Sequence, residues 1–192
     1  LSAVDWISLA IFFASWGGYA RFSEHSRWGE GGLVRTSQGY RLEWARRMLE
    51  REIRVADSTL IGNLMTSVSF YANTTIYIIA VLVAALGASD KLLSVTAELP
   101  FGGLGNRELL EVKLMLVLAS FVFAYFKFTW SLRQFNLLSI LVGAAPDGKD
   151  NGVSETYARR LAGANNLAGD DFNRGIRAYY FGRAGWGWWL HP

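Results

Sequence analysis

The longest uninterrupted apolar pattern in the chain begins at Ser67 and meets no charged residue before Asp90. A helix needs roughly 20 such residues to cross a bilayer core, so 67–88 reads as a transmembrane span. Two further stretches read the same way. One is 4–20, where Trp6, Trp16 and Tyr19 stand as interface anchors, and the other is 109–129. A fourth span starts at about 178 in RAYYFGRAGWGWWLHP, although Arg183 interrupts its apolar run. The pattern predicts an all-α integral membrane helical bundle, a single domain over 1–192. It has three complete transmembrane helices and a truncated or partial fourth.

Amphipathic segments flank these spans. In 37–57, Leu42, Ala45, Met48 or Leu49, and Ile53 share one helical face, with Thr36 or Ser37 as the N-cap. This helix can run straight into the second span. Segment 154–177 reads as one or two short surface helices capped by Ser154, and 89–106, with Pro100 and FGGLGN, as a short connection. Helix three is expected unbroken from Glu108 to Val142, since it holds no proline or glycine. At about 1.5 Å per residue it reaches roughly 50 Å, against an apolar bilayer core of about 30 Å. Helices two and three therefore project into the cytoplasm, where segment 37–57 is the best cover for the apolar excess of helix three.

Polar positions inside the spans carry the functional question. Asn63, Ser67, Asn73 and Thr74 recur on helix two at three- and four-residue steps with Thr66, Phe70 and Tyr77, forming a stripe along one side. Helix three offers Ser120, Lys127, Ser131 and Gln134 at matching steps, and the two stripes most simply face each other. Such residues commonly hold membrane helices together through hydrogen bonds; the competing reading is a pore lining. Lys127 lies near the cytoplasmic end, where a lysine can snorkel to water. Asp57, Arg133 and Asn136 are candidates for a buried polar network, with Asp57–Arg133 as a helix-locking pair. Arg46, Arg47, Arg51 and Arg54 could contact anionic lipid head groups.

Composition narrows the chemistry. The chain holds no cysteine, so thiolate metal sites and disulfides are excluded, and only His25 and His191 could supply imidazole. No nucleophile and base stand at catalytic spacing, and carboxylate pairs such as Asp170/Asp171 read as solvated ends. No catalytic residue, cofactor site or metal site is expected. A net charge of +3 does not point to nucleic acid. Basic residues concentrate after span one and after span three, which places those segments in the cytoplasm and the N-terminus outside. The start at Leu1, the end at Pro192 within an aromatic run, and the lack of a recognisable signal peptide read as a fragment of a longer protein.

VADSTLIGNLMTSVSFYANTTI, SLRQFNLLSILVGAAP and FNRGIRAYYFG, in that order, resemble the signatures of an uncharacterised membrane family, domain of unknown function five-nine-nine. The resemblance implies four spans in a plasma or inner membrane. It implies no activity.

The expected function is a non-catalytic integral membrane subunit, either self-associating or accessory to a larger membrane complex. Its partners are membrane lipids and further copies of itself or other membrane proteins. The alternative is an oligomeric channel or transporter lined by the helix-two stripe.

Overall fold

The computed structural model describes residues 33–97, 107–146 and 151–187, together with Ala10, Ala14, Gly17 and Gly18. Among them every element is a helix: α1 (Leu33–Glu50), α2 (Val55–Gly87), α3 (Ser89–Ala97), α4 (Arg107–Gly143) and α5 (Asn151–Gly187). The span expected at 4–20 lies largely outside the described residues, as does the chain beyond Gly187. α2 and α4 are long and apolar enough to cross a membrane.

α4 matches its expected bounds to one residue at each end, and the first glycine of its sequence is also its last helical residue. The other boundaries differ, each for a physical reason. α1 begins at Leu33, ahead of the expected caps, and ends at Glu50 without running into α2. Arg51 turns back to pair with Asp57 in the first turn of α2, and Arg54 donates to the carbonyls of Ala145 and Pro146 just past the end of α4. Residues 51–54 are held non-helical by those contacts. Ile53 consequently leaves the α1 face and is 76% exposed. The expected connection at 89–106 starts with a helix, α3, with Asp90 in its first turn, where a carboxylate offsets the partial positive charge of the helix end.

The largest difference is α5. Instead of short surface helices followed by a separate span at 178, one helix of 37 residues runs through Ala178. Ala158, Leu161, Ala162, Asn165, Ala168 and Ala178 recur at helical spacing and are all buried. Small side chains let another helix approach closely, which favours continuity over a break. Gly182 marks such an approach: a Cβ there would stand 3.0 Å from the Phe121 ring.

The chain divides into two compact units. The first comprises Leu1–Glu24, Asn73–Tyr125 and Gly175–Pro192. Its core is Leu82, Leu110, Leu114, Val117 and Phe121, with Ile78, Leu92, Leu93 and Tyr179 packed against it. Ser89 Oγ donates to Glu111 at 3.0 Å, and Arg107 bridges Glu111 and Asp90, tying the start of α3 to the start of α4. Thr75, wholly buried, donates to the Tyr179 hydroxyl at 3.4 Å.

The second unit comprises His25–Ala72 and Phe126–Arg174. Ala45, Met48 and Leu49 of α1 are buried here, along with Ile61, Phe135, Leu138 and Leu161. At its centre three rings meet, one from each long helix: Tyr71 of α2, Phe128 of α4 and Phe172 of α5. Their centroid separations are 5.7 Å (Tyr71–Phe128), 5.5 Å (Tyr71–Phe172) and 5.8 Å (Phe128–Phe172). Such separations suit aromatic attraction beyond simple burial.

Candidate functional site

The second unit also holds most of the polar side chains singled out from the sequence, and it sorts them into two clasps and a groove. In the first clasp the Asp57 carboxylate, 2% exposed, accepts from Arg51 Nη1 at 2.5 Å and from Trp44 Nε1 at 2.9 Å. Arg133, the expected partner of Asp57, is instead exposed on α4 and lies over the ring of Trp130, 5.3 Å from its centroid. Asn136 is exposed as well, so the proposed Asp57–Arg133–Asn136 network does not form. Arg51 and Trp44 are closer along the chain to Asp57, and the α1–α2 elbow brings them to it first.

The second clasp joins α4 to α5. Lys127 Nζ donates to Asp171 Oδ1 at 2.9 Å, Gln134 Nε2 to Asp171 Oδ2 at 2.6 Å, and Ser131 Oγ to the Ala168 carbonyl at 2.7 Å. The polar line of α4 therefore faces α5, not α2. Asp171 is buried, where a solvated end was expected, and Lys127 is paired rather than reaching out to water. The fourth residue of that line, Ser120, is buried and donates to the Leu116 carbonyl of its own helix.

The arginines expected to meet lipid each have a partner within the chain, while Arg46, Arg47 and Arg51 stay exposed. Arg46 grips both oxygens of Glu155 at 2.9 Å, Arg47 pairs with Glu43, Arg51 with Asp57, and Arg54 is held by backbone carbonyls. The Arg46 hydrogen bonds hold the Glu155 carboxyl down from 4.5 to about 2. A carboxylate whose pKa is depressed on folding stabilises the fold above its ordinary pKa, and that contribution fades as pH falls toward the folded value. The thermal midpoint is expected to drop between pH 4.5 and 2 by more in the parent than in Glu155→Gln; parallel profiles would show the link to be inert.

The arginine that sequence reasoning passed over is Arg41. It lines a groove of about 440 Å³ whose walls include Trp44, Leu60, Leu64, Phe135 and Phe172. Its Nη1 donates to the side-chain Oδ1 of Asn166 at 3.1 Å, and it forms no ion pair with any described residue. Burial pulls this guanidinium below its ordinary pKa, with Asp170 opposing the shift. Gly169 provides its seat, since a Cβ there would stand only 2.3 Å from Nη2. Asn165, 5% exposed, lines the same groove, and its Oδ1 has no hydrogen-bond partner among the described residues. The signal available in the sequence was Arg41 one turn before Ala45 on a face otherwise apolar.

A family model for "Protein of unknown function, DUF599" matches residues 7–192. The chain belongs to the DUF599 family. Neither a curated protein nor a solved structure matches it.

In this DUF599 chain the α2 stripe points away from the protein core. At 100° per residue, Asn63, Thr66, Ser67, Phe70, Asn73 and Tyr77 lie opposite the buried Ile61, Val68, Ala72 and Thr75. Asn63, Ser67 and Asn73 are exposed, and Thr74 at the margin is half-buried. The inward arrangement expected from helix-to-helix bonding is thus corrected. Its hydroxyls have no need of a neighbour: Thr66 donates to the Gly62 carbonyl and Ser67 to that of Asn63, the usual local solution for Ser and Thr on a helix. The side-chain amides of Asn63 and Asn73 make no such bond, and neither meets a partner among the described residues.

Proposed function

We propose that this chain is a non-catalytic integral membrane subunit that self-associates through the outward line of α2. Its basic segments lie in the cytoplasm and its N-terminus outside, with spans at 4–20, 67–88 and 109–129 and a fourth that continues α5 from about 178. The observation that carries the reading is the exposure of Asn63 and Asn73 on a helix apolar enough to cross a membrane. If the span begins at Ser67, Asn73 stands about 9 Å inside the hydrocarbon, where an amide without a partner is costly. A second copy presents the same amides, so one two-fold contact satisfies both sides, and interhelical bonds of this kind contribute about 0.6 to 2 kcal/mol each.

The buried carboxylates support the non-catalytic part. Asp57 and Asp171 are each held by a cation and a neutral donor, which suits locking helices rather than exchanging protons with a substrate. The second reading, a channel or transporter, shares the outward stripe and requires several copies to turn it toward a common axis.

The lack of cysteine makes the test direct. Asn73→Cys is expected to cross-link between copies on mild oxidation in native membranes, while Ile76→Cys, exposed but off the stripe, is not. Equal cross-linking at both positions, or none at either, would remove the α2 interface. If thiol reagents applied in water modify Asn73→Cys rapidly in the assembled form, and vesicles containing the protein conduct ions, the channel reading replaces the first.

A further inference from the structure

We propose that the groove around Arg41 is a binding site for one anionic phospholipid, with the head-group phosphate on the Arg41 guanidinium and acyl chain along the apolar wall. The argument starts from what is left over. Among the α1 arginines with described side chains, Arg46 and Arg47 each pair with a carboxylate, whereas Arg41 has none within ion-pairing distance among the described residues. A guanidinium has five donors in a planar fork, and Arg41 spends one of them, on a neutral amide. A half-buried cation left in that state is costly unless an anion joins it. A phosphate fits the fork with paired hydrogen bonds.

The rest of the groove says what the anion is attached to. A soluble phosphate would make no use of Trp44, Leu60, Leu64, Phe135 and Phe172, whereas a hydrocarbon chain would cover them. The volume of about 440 Å³ falls in the range of built ligand sites, which are mostly apolar with a few placed polar groups. One wall is α2, and from Ser67 onward that helix carries no charge before Asp90. A lipid lying along it leaves the groove toward the apolar part of the same helix. Asn165 adds a second, independent mark: a buried carboxamide oxygen without a protein donor, as expected beside a head group bearing hydroxyls. Gly169 completes the site by leaving to the guanidinium the space that a Cβ would fill.

This inference shares the membrane setting of the proposed function but not its interface: apart from Ser67, the groove uses a different face of α2 from the Asn63–Asn73 line. The test uses the full chain in detergent, with bound lipid counted by native mass spectrometry. Phosphatidylglycerol, phosphatidylcholine of the same chains, and inorganic phosphate are the probes. The parent is expected to retain one phosphatidylglycerol, at least tenfold in preference to phosphatidylcholine, and inorganic phosphate is expected not to displace it. Arg41→Gln should erase the preference, Gly169→Ala should weaken it by pushing the guanidinium off its seat, and Arg41→Lys should restore part of it. Arg133→Gln, on an exposed arginine outside the groove, should leave it unchanged. Equal retention of the two lipids by the parent overturns the proposal, as does an undiminished preference in Arg41→Gln. Displacement by millimolar phosphate would show a simple anion site instead and overturns the lipid assignment. Oxidative cross-linking at Asn73→Cys in the Arg41→Gln background separates the two readings, because loss of lipid binding is expected to leave it intact.

Discussion

Asp171→Leu is expected to lower the stability of the detergent-solubilised chain by about 3 kcal/mol, at the lower end of what removing one partner of a buried ion pair costs. The substitution strands Lys127, whose side chain is only 25% exposed, and takes the acceptor from Gln134 as well. Lys127→Met should cost less, about 1 to 2 kcal/mol, because Gln134 still donates to the carboxylate and Arg174 Nη1 already stands 4.0 Å from it. The double variant should recover most of the Asp171→Leu loss, since no uncompensated charge remains. Unfolding in a graded series of denaturing detergent, followed by helical ellipticity, measures all three. Additive losses in the double variant would mean that the pair contributes nothing as a pair.

Phe128→Ala is expected to be at least as damaging, at about 3 to 5 kcal/mol for a fully buried aromatic. Phe128 is 0% exposed and touches both Tyr71 and Phe172, so its loss opens a cavity shared by all three long helices. Phe128→Leu refills most of that volume and should cost roughly half as much. The same unfolding series distinguishes them; equal effects would indicate that the neighbouring rings collapse into the space.

The clearest sequence signals were those written in one helix alone. α4 was legible from end to end because apolar periodicity and the absence of glycine and proline are local properties. The amphipathic character of α1 was legible too, through Ala45, Met48 and Leu49. What the sequence did not reveal depends on partners distant along the chain. Asp171 looked like half of a solvated Asp-Asp pair because nothing near it announces Lys127, which lies on another helix. The continuity of α5 was not legible because the side chains that use the room at its glycines, Phe121 and Arg41, come from elsewhere. On α2, periodicity gives only which residues share a side and not which side is turned to the core. Arg41 was passed over because its neighbours Arg46, Arg47 and Arg51 form a denser cluster, and each of those has a carboxylate partner within the chain.

The clasp between α4 and α5 also sets an order of events during synthesis. Lys127 emerges from the ribosome 44 residues ahead of Asp171. At ordinary elongation rates of about 5 to 20 residues per second, roughly 2 to 9 s pass before its counter-charge exists. For that interval Lys127 must find its hydrogen-bond partners elsewhere, in water or on another group, and the α4–α5 contact cannot form until α5 arrives. α5 is thus the helix that completes the α4 clasp, and a chain truncated before Asp171 should expose Lys127 to amine-reactive reagents that the longer chain resists.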